Sequence, residues 1–422
     1  MTTPTPPARH HVRLATASPS SDPAGLASTL DRLAALTRRA AALHADLLLL
    51  PEAYLGGYPR GSGFGTVVGE RTAAGREEFR RYFKGAVDLG DIVGEGGAGG
   101  GDKWLRREFP LGGAHDGEDG VAAVRGDGTR EELEKLSRDT GVFLVVGVIE
   151  RAGGSLYCAV VYVDPAKGII GKRRKVMPTA SERLIWAQGG AATLRAVSTT
   201  IRGIRINLAA AICWESYMPL VRQALYAQNV NLYLAPTADA RDAWLSLMRT
   251  VGCEGRCFVV SSNMAVRKTG ASESTAVSDP LPANRGSWLP QHGHRRRKSI
   301  AVEDGHEIVL CCDEEGDGKQ ASETPVQGQD KGASGHLSAA AASTDSGQAE
   351  WSSRGGSCIV GPLGDVLVGP QWEDDQGIIW ADVDFEDCVR GRLDLDAAGS
   401  YSRNDSFKFS VEGLDLEPLP YY

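Results

Sequence analysis

Residues 204–219 read IRINLAAAICWESYMP, and the rest of the 422-residue chain is best read outward from them. The apolar run through Ile204, Ile206 and Leu208 to Ile212 has the length and flanks of a buried strand, and it stops at Cys213, Trp214 and Glu215. Pro219 suits the first turn of a helix, whose apolar positions continue at Leu220, Val221, Ala224 and Leu225. Cys213 is therefore expected at a strand-to-helix turn. There the unpaired N–H groups and partial positive charge of a helix N-terminus favour a thiolate, and a thiolate is a nucleophile candidate. A cysteine closing an apolar strand is more often a small buried hydrophobe, so the assignment depends on what the rest of the chain supplies.

Upstream, residues 11–15 (HVRLA) form a short strand candidate. Leu26, Leu30, Leu33, Leu36, Ala40 and Leu43 recur at steps of three and four, the spacing of one helical face. Asp46 then leads LLLL and Pro51, a buried strand closed by proline. Strand, helix and strand in this order point to an α/β layered fold. Glu52 follows at once, in PEAYLGGYPRG. A carboxylate at the C-terminal end of a buried strand is where open α/β sheets place functional groups, although a lone loop glutamate is usually just solvated.

EGGAGGGDKW (95–104) lacks the Lys-Ser/Thr ending of a phosphate loop and is read as a plain loop. TREELEKLSRD (129–139) reads as a helix with Thr129 at its cap and Glu132 three positions on. VFLVVGVIE (142–150) and SLYCAVVYVD (155–164) read as strands joined by a hairpin at Gly153-Gly154. Lys172, Arg173, Arg174 and Lys175 form a cationic run of the kind that ordinarily marks a solvated patch. This one lies between Ile169-Ile170 and Val176-Met177-Pro178, so an extended segment must point alternate side chains inward. Beyond Cys213 the pattern gives a helix (219–228), a strand (229–236), a helix carrying Trp244, Leu247, Met248 and Val251, a strand (257–263) and short strands between 357 and 384. Residues 266 to about 352 are rich in Ser, Gly, Ala, Asp and Gln and hold the basic patch HGHRRRK (292–298); they read as a largely disordered surface insertion.

The formal net charge of −8, from 46 basic and 54 acidic residues, gives no electrostatic reason to expect nucleic acid or an anionic membrane as partner. No apolar run reaches the roughly 18 residues of a membrane span. MTTPTPPARHH lacks the apolar core of a secretory signal, so a cytoplasmic location is expected. The eight cysteines sit mostly inside apolar segments, which suits a reducing compartment. Cys253 with Cys257, and Cys311 with Cys312, lack the His or second Cys pair of a zinc site and read as structural.

Taken together, PEAYLGGYPRG, GKRRKVMPTASERLIWAQG, AAAICWESYMPL, LAPTAD and the GSYSRND tail resemble the nitrilase branch of the carbon–nitrogen hydrolase superfamily. The resemblance runs from about residue 11 to about residue 415, apart from the 266–352 insertion and a loose region at 62–130. It implies one α/β domain, a four-layer αββα sandwich over 11–415. It also implies a Glu-Lys-Cys triad on Glu52, Lys175 and Cys213, with a second glutamate at Glu182, seven residues after the lysine. Composition does not separate Lys175 from Lys172; the family pattern RK-x-x-PT does. The family's tail motif often carries His where this chain has Ser400, so no role passes to that position. The family habit of forming dimers and spiral filaments implies a homo-oligomer.

Such residues permit hydrolysis of a small-molecule nitrile by water with no metal or organic cofactor. Glu52, the proton acceptor, takes the Cys213 proton as the sulfur attacks the nitrile carbon, and Lys175, the proton donor and stabiliser, meets the charge developing on nitrogen. A water activated by Glu52 releases ammonia from the thioimidate, and a second water releases the acid from the thioester. Glu182 supports Lys175 and helps keep it protonated. Expulsion of Cys213 in place of ammonia yields an amide, so a minor amide output is expected. Tyr54, Trp186 and Trp214 are candidates to line an aromatic-tolerant substrate pocket, with core packing the equal alternative. The same triad suits an amidase, a carbamoylase or a cyanide hydratase; TASERLIWAQ (179–188) with APTAD favours the nitrile branch. A non-catalytic assembly protein is the reading from a different class.

Overall fold

Leu47 to Leu50 can be apolar at every position because both faces of their strand are covered. In the computed structural model, which describes residues 5–8, 10–108, 126–268, 299–303, 306–310, 334–337 and 350–421, that strand lies inside a layered unit. Its elements begin with β1 (Val12–Ala17), α1 (Leu26–Ala42), β2 (Leu47–Leu49), α2 (Ala73–Gly85) and α3 (Thr129–Thr140). The chain continues through β3 (Phe143–Ala152), β4 (Ser155–Asp164), β5 (Gly168–Arg174), β6 (Val197–Ile201), β7 (Ile204–Ala210), α4 (Pro219–Ala227) and β8 (Leu232–Thr237). Next come α5 (Ala243–Gly255), β9 (Phe258–Asn263), β10 (Ala265–Arg267), β11 (Ser334–Leu337), β12 (Trp351–Val360), β13 (Val366–Trp372) and β14 (Ile378–Val383), before a short helix at Glu386–Gly391.

Two sheets form, in the order β11-β14-β1-β2-β3-β4-β5 and β10-β12-β9-β8-β7-β6, with β13 paired to β12. Each has a parallel trio at its centre, β1-β2-β3 in one and β7-β8-β9 in the other, with antiparallel flanks. Side chains alternate faces along a strand. Leu47 and Leu49 therefore meet Leu208, Leu232 and Val260 of the second sheet, while Leu48 and Leu50 meet Leu33 and Leu36 of α1 and Leu133 of α3. On the far side Ala209, Tyr233 and Val259 pack beneath Val221 and Leu225 of α4 and Met248 and Val251 of α5. The result is the expected four-layer αββα sandwich.

Local differences from the sequence reading have physical causes. The cap of α3 is Gly128 in a left-handed conformation, and Thr129 is already helical; Asp127 Oδ1 accepts the Thr129 N–H at 3.0 Å. The stretch 95–104 is a 3-10 turn (Glu95–Gly97) followed by a short helix (Gly101–Leu105), so it is more than a loop. Asn229 is left-handed (φ 63°), which delays the following strand to Leu232. The hairpin at Gly153-Gly154 forms as expected, with Ala152 opposite Ser155.

Most of the stretch 266–352, including the basic patch 292–298, Cys311 and Cys312, lies outside the described residues. Its two ends are adjacent: Arg267 pairs with Trp351, and the Lys268 N–H donates to the Glu350 carbonyl at 2.7 Å. A separate unit, residues 269–331, contains the antiparallel hairpin Ser299–Glu303 with His306–Leu310. Among the described residues no helix is long and apolar enough to cross a membrane.

Gly147 in β3 lies against the turn that leaves β2. A Cβ built there would stand 2.1 Å from the Pro51 carbonyl oxygen and 2.9 Å from Glu52 Cα. Gly147→Ala is thus expected to lower stability by at least ~1–3 kcal/mol, the usual cost of overpacking, read as a drop in the urea midpoint at constant slope. An unchanged midpoint would contradict this close approach.

Candidate active site

The site residues stand where strands end. Glu52 follows β2 through Pro51, Lys175 directly follows β5, and Cys213 opens a 3-10 turn (Cys213–Tyr217) three residues after β7. Ala53 and Cys213 both take left-handed backbones, φ 53° and 55°. Such values are uncommon outside glycine and persist only where surrounding structure enforces them. The Lys175 N–H is anchored on the Cys158 carbonyl of β4 at 2.7 Å.

Three chain segments separated by long stretches of sequence converge. Lys175 Nζ donates to Glu52 Oε1 at 2.7 Å and to Glu182 Oε2 at 2.8 Å. Glu52 and Lys175 are 0 % exposed, Cys213 5 % and Glu182 8 %. Glu182 is saturated: Oε2 also accepts the Thr179 N–H at 2.6 Å, and Oε1 accepts the Tyr58 hydroxyl at 2.7 Å. Glu52 is lopsided. Its Oε1 accepts Lys175 and the Cys158 thiol, whose Sγ is 3.5 Å away, whereas Oε2 is buried and has no partner at hydrogen-bonding distance among the described residues. Cys213 Sγ accepts from Thr237 Oγ1 at 3.1 Å.

Burial and mutual charge set the protonation states. Desolvation raises the Glu52 pKa above the usual carboxylate range against the opposing pull of Lys175. Desolvation also works against the Lys175 ammonium, but Glu52 first and Cys213 next reverse it, and the group stays charged well above its ordinary range. The Cys213 thiol is pushed well above its ordinary range, by burial first and the Glu52 charge second. The helix-terminus argument for a resting thiolate is therefore corrected: α4 begins only at Pro219, and burial beside a carboxylate dominates at the sulfur. Ionisation of Cys213 requires transfer of its proton to a neighbour.

The cationic run is not a solvated patch, nor does it simply alternate. Arg173, Arg174 and Lys175 are all buried, and the Lys172 side chain is 5 % exposed. Each has carboxylate partners: Lys172 pairs with Asp91 and Glu150, Arg174 with Glu150, and Arg173 with Glu215. Arg174 also donates to the carbonyls of Ile92, Val93 and Gly97, which clips the glycine-rich stretch to the sheet.

Glu215 is a residue the sequence reading missed. Its Oε2 accepts the Ile212 N–H at 2.7 Å, and its Oε1 accepts Arg173 at 2.7 Å and the Val176 N–H at 2.5 Å. One carboxylate thus ties the Cys213 turn to the segment that carries Lys175. Glu215 stands three residues after Ile212 as Glu182 stands three after Thr179, and this capping spacing was the available signal. Tyr58, Thr237 and Cys158 were also missed; nothing local to them marks a contact with residues so distant in sequence.

The aromatic candidates divide. Trp186 adjoins the cluster: Lys175 Nζ is 5.6 Å from its ring centroid, Tyr58 packs edge-on at 5.6 Å, and its Nε1 donates to Tyr82. Trp214 is 40 % exposed, donates to Asp239 at 3.0 Å and lies under the Arg241 guanidinium at 4.3 Å. Tyr54 is not brought to the cluster. It is buried on the outer face of the first sheet with Leu33, Leu48 and Val146, because it sits beyond the left-handed turn at Ala53. Among the described residues no group of three or more His, Cys, Asp and Glu side chains could hold a metal ion.

The carbon-nitrogen hydrolase family profile matches residues 12–392. The chain belongs to this family. An arylacetonitrilase of Trametes versicolor is 36% identical over 92% of this chain and 92% of its own length. A bifunctional nitrilase/nitrile hydratase of Lupinus angustifolius is 33% identical over 93% of this chain and 84% of its own. The solved carbon–nitrogen hydrolase of Helicobacter pylori superposes with a TM-score of 0.52 at 13% identity, covering 95% of this chain and 96% of that one, and so shares the fold. In this carbon–nitrogen hydrolase the Arg173–Glu215 pair is fully buried. Glu215→Gln is expected to cost ~3–5 kcal/mol, the usual penalty of breaking a buried pair, measured by urea unfolding; a loss below ~1 kcal/mol would refute the anchoring role.

Proposed function

We propose that the chain is a nitrilase, hydrolysing an organic nitrile to the carboxylic acid and ammonia through a Cys213 thioimidate and thioester. The observation that carries this reading is one buried ammonium held between two carboxylates, beside a thiol kept protonated by burial and a carboxylate oxygen with no hydrogen-bond partner among the described residues. The names of the Trametes and lupin relatives support the nitrile as substrate class.

Glu52 Oε2 takes the Cys213 proton as sulfur adds to the nitrile carbon. Two of the three N–H groups of Lys175 are engaged by Glu52 and Glu182, and the third is available to the nitrogen that becomes negative. A fixed cation in so dry a place stabilises that charge far better than water does. Glu182, held by Thr179 and Tyr58, keeps the ammonium aimed. Glu52 then activates water against the thioimidate, ammonia leaves, and a second water frees the acid. Collapse that expels sulfur gives amide, an output in keeping with the double activity in the lupin relative's name.

Trp186, beside Lys175, and Trp214, next to Cys213 in the chain, are the proposed aromatic walls of the substrate site; Tyr54 serves packing. The proposed location is cytoplasmic, in keeping with six free cysteines among the described residues. A homo-oligomer, a dimer or a spiral filament, follows the family habit.

The test is a panel of phenylacetonitrile, an aliphatic nitrile, cyanide and an amide, with ammonia, acid and amide read together. Acid with minor amide from an organic nitrile is expected. Turnover of the amide alone would identify an amidase or carbamoylase, of cyanide alone a cyanide hydratase, and none at all a non-catalytic protein. Cys213→Ala should abolish turnover. Lys175→Met should lower kcat by about 10²–10³-fold with a smaller change in KM, because its contact strengthens in the transition state. Since Glu52 must be ionised and burial raises its pKa, kcat/KM should fall on acidification at a pH above the ordinary carboxylate value of about 4.3. An acid limb at or below that value would contradict Glu52 as base.

A further inference from the structure

Resting on the hydrolytic reading above, we propose that Cys158 is a positioning residue for Glu52. Its thiol shares Oε1 with Lys175 and so leaves Oε2 as the one oxygen open to the Cys213 proton. Cys158 lies on β4, 1 % exposed, opposite Ile149 of β3. Two contacts leave it in different directions. Its Sγ is 3.5 Å from Glu52 Oε1, and its carbonyl accepts the Lys175 N–H at 2.7 Å. A single residue thereby registers both partners of the 2.7 Å ion pair, the glutamate through its side chain and the lysine through its backbone.

The groups facing Glu52 come from several elements; among the described residues Lys175 and Cys158 donate to its Oε1, and the Cys213 thiol also acts on the carboxylate as a hydrogen-bonding neighbour. Lys175 after β5 and Cys158 on β4 both reach Oε1. Glu182, in the 3-10 turn Ala180–Leu184, is an anion that repels it. The Tyr58 hydroxyl, on the loop after Glu52, is spent on Glu182. The Tyr82 hydroxyl of α2 donates to the Gly57 carbonyl and accepts from Trp186. Cys213 is the group to be deprotonated. With Lys175 alone on one oxygen the carboxylate could rotate and offer either atom; a second donor on the same oxygen fixes which one faces the nucleophile.

The choice of sulfur is consistent with this task. A thiol is a weak donor, so it orients the carboxylate while taking little of the basicity that the reaction needs. Burial, followed by the Glu52 charge, holds the Cys158 thiol well above its ordinary range, and the donor therefore stays in place across the working pH.

The test compares wild type, Cys158→Ala and Cys158→Ser as full chains. Two profiles are read: kcat/KM for phenylacetonitrile against pH, and the rate at which iodoacetamide alkylates Cys213 against pH, followed by mass of the Cys213 peptide. Removing the donor destabilises the carboxylate form, so Cys158→Ala should move the acid limb up by about half a unit to one unit and lower kcat more than KM. Cys158→Ser, which restores a stronger donor, should return the limb to the wild-type position or below it. Limbs unmoved in both variants while the urea midpoint falls would make Cys158 packing only and overturn the proposal. If Cys158→Ala does not fold, the serine variant decides alone: a limb displaced below the wild-type position with kcat retained supports the proposal, and a limb unmoved or displaced upward overturns it. A wild type inert toward every nitrile would remove the substrate reading, and the alkylation profiles would still decide Cys158.

Discussion

One ammonium clasped between two carboxylates, where water scarcely reaches, is the arrangement on which everything else here depends. Desolvating each such ion costs several kcal/mol, and only short contacts with every remaining lone pair accounted for make the assembly tolerable. Lys175 supplies the contacts at 2.7 and 2.8 Å, and Thr179 and Tyr58 complete Glu182. Among the described residues of this cluster, the carboxylate oxygen left without a partner is Glu52 Oε2. Without Lys175 the two carboxylates would face each other uncompensated, so this ion ties the Glu52 segment to the segment that carries Glu182.

Bringing those segments to one point is the task of the paired sheets. Glu52 and Cys213 each stand just past the C-terminal end of a strand in a parallel trio, one trio per sheet, and the face-to-face stacking of the sheets turns two strand ends into one site. Lys175 arrives from the edge strand β5. The seam is locked by Arg173, which reaches from β5 to the Ala210 carbonyl at the end of β7 and to Glu215 in the turn that follows it. Beside the left-handed Cys213, the Glu215 carboxylate accepts the Ile212 N–H and so fixes the start of the turn.

The layers were legible because they follow from short-range rules. Leu47 to Leu50 between Asp46 and Pro51, the three-and-four spacing from Leu26 to Leu43, and the apolar run ending at Cys213 each name an element without reference to the rest of the chain. The residues at strand ends were legible through the resemblance in their motifs. What could not be read locally was any property set by a remote partner. GKRRK looks like a solvated patch until Asp91, Glu150 and Glu215 are placed beside it, and Glu150 lies more than twenty residues away. Tyr54 sits two residues from Glu52 yet belongs to the outer core, because one left-handed residue, Ala53, redirects the chain. The protonation of Cys213 likewise depends on how deeply neighbours bury it, which no window of sequence records.

The ends of the 266–352 stretch meet as antiparallel neighbours at Arg267 and Trp351, on strands β10 and β12 at the margin of the second sheet. Once two ends are pinned side by side, lengthening the chain between them costs only in proportion to the logarithm of its length, about 0.6 kcal/mol per doubling. The anchor, not the span, carries the thermodynamic burden. The length of chain between these two anchors is therefore a weak lever on the stability of the layered unit, which takes from the stretch the strand Ser334–Leu337 at the edge of its first sheet.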